Sequence, residues 1–165
     1  MPDAASIDFA VDPLVALDAA ELYACLRLRS EVFVVEQNCA YLDPDGLDLD
    51  PGTLHLRMRA RGAGLVGYAR LLPRGLDFAD ACSVGRIATA RTARGRGHGR
   101  RLVAHALTEC RRHFPGSAVA IHAQTYLRGF YAGFGFVVEG GEYLEDGIPH
   151  VDMRLAGVGT ARFRG

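Results

Sequence analysis

Six consecutive residues, Arg94-Gly95-Arg96-Gly97-His98-Gly99, carry the strongest chemical signal in this chain. Three glycines alternate with residues that bear nitrogen donors. A main chain without Cβ atoms can curl closely around an anion. The segment follows an apolar run of strand character and opens into a helical pattern. Its amides would therefore join the free N–H groups at a helix N-terminus and the positive end of the helix dipole. That is the chemistry of a pyrophosphate site.

Three loop types compete for such a ligand. A P-loop needs Gly-x-x-x-x-Gly-Lys-Ser/Thr, and the chain contains no lysine. A dinucleotide fingerprint needs Gly-x-Gly-x-x-Gly near the start of a βαβ unit, with a ribose-binding acid about 20 residues further on. Gly95, Gly97 and Gly99 lack that spacing and lie mid-chain. The third pattern is Arg/Gln-x-x-Gly-x-Gly/Ala between a strand and a helix. Arg94, Gly97 and Gly99 match it.

The composition bounds what surrounds this loop. A chain of 165 residues, 49% hydrophobic and 23% charged, fits one globular domain over residues 1–165. A core of that size needs neither disulfides nor a metal. Zero formal net charge, a short basic run and no aromatic series around it argue against a nucleic-acid partner. No long apolar span argues for a membrane, and no targeting segment is legible. Cys25, Cys39, Cys82 and Cys110 show no metal-type spacing, so no metal site is expected. Together these features point to a reducing, cytoplasmic setting. Cys25 and Cys110 fall within apolar helical patterns and should pack as small hydrophobes.

The elements that must hold the loop follow from periodicity. Residues 6–11 alternate as a short strand. Asp18-Ala19-Ala20-Glu21 has capping-box spacing, and the pattern predicts one helix over 19–35. Residues 36–52 form a long acidic loop containing Glu36, Asp43, Asp45, Asp48 and Asp50. Such a loop could draw a cationic amine toward a site, and Arg29 could pair with Glu36 or one of its aspartates. Leu54, Leu56 and Met58 alternate with His55, Arg57 and Arg59, the signature of a half-buried strand. Residues 65–72 return as its hairpin partner, and 82–89 form a further strand. A helix with an apolar stripe at Leu102, Val103, Ala106, Leu107 and Cys110 follows the glycines. A buried strand over 118–123, a short helix over 126–133 and a final hairpin over 136–155 complete the order β-α-ββ-β-α-β-α-ββ. Residues 156–165 read as a frayed tail. That order suggests a mixed sheet covered by helices.

The loop resembles the acetyl-CoA-binding motif of the GNAT N-acetyltransferase superfamily. The resemblance spans nearly the whole chain. Residues 28–39 (LRSEVFVVEQNC), 67–73 (GYARLLP), 85–89 (GRIAT), Ala123-Gln124, 133–136 (GFGF) and 145–150 (EDGIPH) are similar, in this order, to the ElaA-like subgroup. The resemblance implies an α+β fold of three layers: a mixed, mostly antiparallel twisted sheet with a central βαβ unit and helices on both faces. It implies acetyl-CoA as cosubstrate, with Ile87, Ala88 and Thr89 on the pantetheine arm. The amides from Arg94 through Gly95, Arg96, Gly97, His98 and Gly99 to Arg100 would hold the pyrophosphate, with Arg94, Arg96 and Arg100 adding charge-assisted bonds. Gln124 stands where many relatives carry an asparagine on the cofactor arm. Phe130 and Tyr131 match the aromatic pair at the cofactor thiol. Similar proteins often pair as homodimers through their later strands.

The implied reaction is acetyl transfer to a primary amine of a small molecule or peptide, by direct attack in a ternary complex. Tyr131 is the candidate general acid for the leaving thiolate. The base is open among Glu36, His122, His150 and a water chain, because residues 83–87 offer no glutamate. The competing reading is a catalytically silent module that binds or senses acyl-CoA.

Overall fold

The computed structural model describes residues 6–157. The elements run β1 (Ile7–Pro13), α1 (Ala19–Arg29), β2 (Leu54–Ala60), β3 (Gly64–Leu72), β4 (Ala81–Thr89), α2 (His98–His113), β5 (Ala118–Gln124), α3 (Arg128–Ala132), β6 (Val137–Glu145) and β7 (Ile148–Leu155). This is the element order expected from the sequence. The seven strands form a sheet in the order β1-β2-β3-β4-β5-β7-β6. β4 and β5 pair in parallel through the α2 crossover, and the other neighbours are antiparallel. The expected frayed tail, 156–165, lies outside the described residues from 158 onward.

The expected 19–35 helix is two kinds of helix in series. Asp18 caps α1 by accepting the Glu21 N–H at 2.8 Å. The reciprocal half of the capping box is not made, because the Glu21 carboxylate reaches sideways to Arg57 and to Arg59 (3.4 Å) on β2. Beyond Arg29 the turns widen into a π-helical stretch, Ser30–Glu36. The acidic segment that follows contains a single 3-10 turn, Leu47–Leu49.

Helices cover both faces of the sheet. The α2 stripe of Leu102, Val103, Ala106, Leu107 and Cys110 packs with Leu56, Met58, Ala69 and Leu71 in the larger core. Each fully buried Leu, Val or Met here contributes about 1.5–3 kcal/mol. Gly67 permits close packing here, since a Cβ would fall 2.5 Å from Met58 Cε. On the opposite face Cys25, Leu28 and Val32 pack with Tyr68 and Ala88.

β2 corrects one expectation. It is not half-buried: His55 and Arg57 are as enclosed as Leu56 between them. Both have partners, those of Arg57 from 36 and 45 residues away. His55 Nε2 lies 3.3 Å from the Asp48 carbonyl and donates to it, and its Nδ1 accepts from Tyr68 Oη at 2.7 Å. Arg57 pairs with Asp12 and Glu21. Alternation marked two faces correctly, but the polar one is roofed by α1 and the acidic loop.

Candidate functional site

β4 carries the defect that opens the site. Tyr68 pairs with Ala88 and Arg70 with Gly85, so two β4 residues, Arg86 and Ile87, stand opposite Ala69 alone. This is a β-bulge, and a bulge bends its strand. Arg86 has φ +50°, a left-handed conformation that costs a non-glycine residue about 1–3 kcal/mol. Its side chain is fixed by Asp43 Oδ1 at 2.8 Å and the Asp43 carbonyl at 3.0 Å, and it lies over the Tyr41 ring.

On the other edge of β4 the parallel ladder with β5 ends at Ser83 and Ala120. Both strands run on, to Thr89 and Gln124, and a wedge opens between them. At the wide end of the wedge lies the glycine loop. Gly95 and Gly97 have φ of +76° and +74°, conformations that glycine takes without steric cost. Gly97 is the N-cap of α2 and supplies no side-chain cap. The first helical bond there is Arg101 N–H to the Gly97 carbonyl at 3.1 Å. The preceding amides of His98, Gly99 and Arg100 therefore stand free at a helix N-terminus, arranged for an anion.

Wedge and loop open into one cavity of about 1050 Å³. Every site residue singled out from the sequence lines it except two. Ala88 is buried on the α1 side with Tyr68, so only its main chain can face the wedge. Arg96 is exposed outside the cavity wall. Arg94 turns back on its own strand: Nε and Nη2 donate to the Thr89 carbonyl at 3.1 and 2.9 Å, and Nη1 pairs with Glu36 at 2.8 Å. Arg100 lies over the rings of Phe130 and Phe134.

Tyr131 is 6% exposed, and its hydroxyl has no hydrogen-bond partner among the described residues. Burial, with a smaller contribution from Tyr126, pushes its pKa up to about 12. Phe130 packs edge-on against it at 5.2 Å. Two contacts join residues of the cavity wall. Gln124 Nε2 donates to Gln37 Oε1 at 3.3 Å, and Cys39 Sγ lies 3.5 Å from the Asp146 carbonyl.

The three side chains considered as bases differ in what they have free. Glu36 Oε2 is occupied by Arg94. His150 lies 2.7 Å through Nδ1 from the Ile148 carbonyl, which can only accept, so Nδ1 carries the proton and Nε2 is the nitrogen able to take one. His122 has a carboxylate on each ring nitrogen, Asp152 at 2.7 Å and Asp77 at 3.2 Å. Burial alone would lower its pKa, but the two carboxylates outweigh it and lift it to about 9. His122 is therefore an imidazolium at neutral pH.

The acidic loop is not the cation attractor that its composition suggests. Asp43 and Asp48 are buried against Arg29, at 2.7 Å each, and Asp48 also meets Arg70 at 3.1 Å. Asp45 pairs with Arg70 at 2.7 Å and Arg86 at 3.4 Å. Burial works against its charged form, but the hydrogen bond and charge of Arg70, the Leu47 N–H and the charge of Arg86 together outweigh it and hold the Asp45 pKa at about 2. Arg29 does pair with loop aspartates, though not with Glu36. Sequence reasoning missed Arg70, Arg86 and Asp77 in the cavity wall. Gly85, an isolated glycine inside a strand, was the one local hint of the bulge.

The acetyltransferase (GNAT) domain family matches residues 46–156. This chain belongs to the GNAT family. Within that family it is ElaA-like. It is 41% identical to ElaA of Escherichia coli over 137 residues, 83% of this chain and 88% of that protein. A UPF0039 protein of Mycobacterium tuberculosis is 43% identical over 148 residues, 87% of this chain and 89% of its own. Among solved structures, an acyl-CoA N-acyltransferase from Pseudomonas aeruginosa superposes with a TM-score of 0.86 at 41% identity, covering 92% of this chain and all of that one. The crystal structure of Escherichia coli ElaA superposes with a TM-score of 0.83 at 38% identity, covering 90% and 99%. The β4 bulge, the β4–β5 wedge and the uncapped α2 N-terminus are thus features of a GNAT chain. No helix among the described residues of this GNAT chain is long and apolar enough to cross a membrane.

Proposed function

We propose that this chain is an N-acetyltransferase that moves the acetyl group of acetyl-CoA to a primary amine of a small molecule or peptide in a ternary complex. One observation carries the reading. Tyr131, whose hydroxyl has no hydrogen-bond partner among the described residues, lines the same cavity as the glycine loop and the β4 and β5 residues beyond the end of their ladder.

The loop amides and the α2 N-terminus hold the pyrophosphate of the cosubstrate. Arg94, bound to the Thr89 carbonyl and Glu36, braces the loop. Main-chain groups at Ile87, Ala88 and Thr89 take the pantetheine arm, with Gln124 and Phe130 on its other side. The neutral amine attacks the thioester carbonyl and a C–N bond forms. An amide near Ala88 donates to the oxyanion. As the C–S bond breaks, Tyr131 gives its proton to the departing thiolate. A phenol with a pKa of about 12 keeps that proton at neutral pH, as a general acid must. His122, already an imidazolium, cannot take the amine proton. Glu36, through its free Oε1, and His150, through Nε2, are the side chains that can. Water open to solvent serves the same end.

The test is CoA release from acetyl-CoA over a panel of primary amines. Wild type should turn over at least one of them. Tyr131→Phe should lower kcat by about 10²–10⁴-fold, with acetyl-CoA binding retained by calorimetry. Binding of acetyl-CoA with no amine-dependent release from wild type would replace this reading with that of a silent acyl-CoA-binding module.

A further inference from the structure

From the glycine loop the cavity runs back along β4, from Thr89 to Val84, and ends at Asp77 and His122. The charges at that end do not cancel. A neutral imidazole has one N–H, yet His122 holds a carboxylate on each nitrogen, so the ring must carry two protons and one positive charge. Two carboxylates around one imidazolium leave a surplus negative charge. Asp152 faces two donors, His122 and Tyr143 Oη at 2.7 Å, and does not line the cavity. Asp77 does line it, with its side chain 29% exposed. Phe78 stacks on the other side of the His122 ring at 4.5 Å and fixes it in place.

The charge of Arg70 favours the Asp77 carboxylate, but the nearby arginines are already matched one for one. Arg29, Arg70 and Arg86 are matched by Asp43, Asp45 and Asp48 in the adjacent cluster. The β6–β7 turn adds Glu145 and Asp146 to the same wall, with His150 3.7 Å from Glu145. Leu72, Val84 and Ile121 add apolar surface to the lining of the same cavity.

We infer that the acceptor is a dication-type amine, with the nucleophilic nitrogen and a second, permanently protonated group joined by an apolar stem, and that Asp77 is the specificity-determining residue that binds the second group. This rests on the transferase reading proposed above. The stem lies against Leu72, Val84 and Ile121, while the far ammonium completes the charge balance that His122 leaves unfilled. A charge-assisted pair in a partly enclosed wall discriminates more than a surface ion pair does.

The experiment compares 1,5-diaminopentane, pentylamine and 5-aminopentanoate as acceptors, which share a stem and differ in the far group. The expected order of kcat/KM is diamine, then monoamine, then amino acid. Asp77→Asn should reduce the diamine-to-pentylamine ratio by about tenfold, mainly through the diamine KM. Asp77→Glu should keep the ratio above one, which separates loss of charge from loss of fold. Equal kcat/KM for diamine and pentylamine in wild type, or a ratio unmoved by Asp77→Asn, overturns this inference and leaves the transferase reading standing. Turnover of none of the three, while another primary amine is acetylated, overturns this inference alone; no amine-dependent release from any primary amine, with acetyl-CoA bound, overturns both.

Discussion

The two faces of the central sheet solve burial in opposite ways. Under α2 the contacts are apolar, with Leu56, Met58, Ala69 and Leu71 against Leu102, Val103 and Leu107. On the other face a small apolar patch lies under α1, and under the 43–48 loop the contacts are ionic, with three arginines interlocked with three aspartates above His55 and Tyr68. Apolar packing tolerates small shifts, whereas buried ion pairs hold only in good geometry, because each charge has lost its water. The ionic face is also the one that shapes the cavity. It fixes Arg86, and with it the bulge that sends β4 away from β5.

The comparison breaks most visibly at Arg29. Arg29→Ala would leave Asp43 and Asp48 buried without their shared partner, and should cost about 3–5 kcal/mol in urea unfolding. Leu102→Ala on the apolar face should cost about 3 kcal/mol, and its cost should not depend on acid. Equal pH dependence of the two variants would remove the distinction between the faces.

Acid sharpens the same contrast. Asp45 has its pKa held at about 2, chiefly by Arg70 against the effect of burial, and Asp48 is held below its ordinary value, with burial opposing and Arg29 and Arg70 together outweighing it. A carboxylate with a depressed folded-state pKa contributes stability that is present above its unfolded pKa and lost as pH falls through the folded one. For Asp45 that window runs from about pH 4 down to about pH 2. Amide exchange across 43–48 should accelerate in that window before exchange in α2 does. Simultaneous loosening would mean that the loop carboxylates do not hold their face.

The smallest effect on stability belongs to the loop. Gly97 adopts φ +74° with nothing within 4 Å of where a Cβ would stand. Gly97→Ala should therefore cost about 1–2 kcal/mol through backbone strain alone. Its larger consequence should be weaker acetyl-CoA binding in calorimetry, since the strained residue would move the amides at the α2 N-terminus. Unchanged affinity would show that those amides do not hold the cosubstrate.

Much of the site was legible because it is built from local sequence. The alternation of Gly95, Gly97 and Gly99 before an amphipathic helix marks the loop whose amides stand free at the α2 N-terminus, and Tyr131 follows Phe130 in a recognisable pair. What escaped notice depends on distant partners. Arg57 read as the outer face of a half-buried strand because alternation marks faces but not what covers them; Asp12 on β1 and Glu21 on α1 reach it in space. The acidic loop looked like an open cation trap because its neutralising arginines lie on α1, β3 and β4. Asp77 carried no pattern at all, and gains meaning only from His122, which lies 45 residues further along the chain.

The sequence by itself determined the element order, the glycine cradle and the family likeness, since each depends on spacing within a few turns of chain. Tertiary structure alone decided which charges cancel. Electrostatic balance depends on distance in space, and only the folded chain brings the arginines onto the loop aspartates while leaving Asp77 with negative charge to spare.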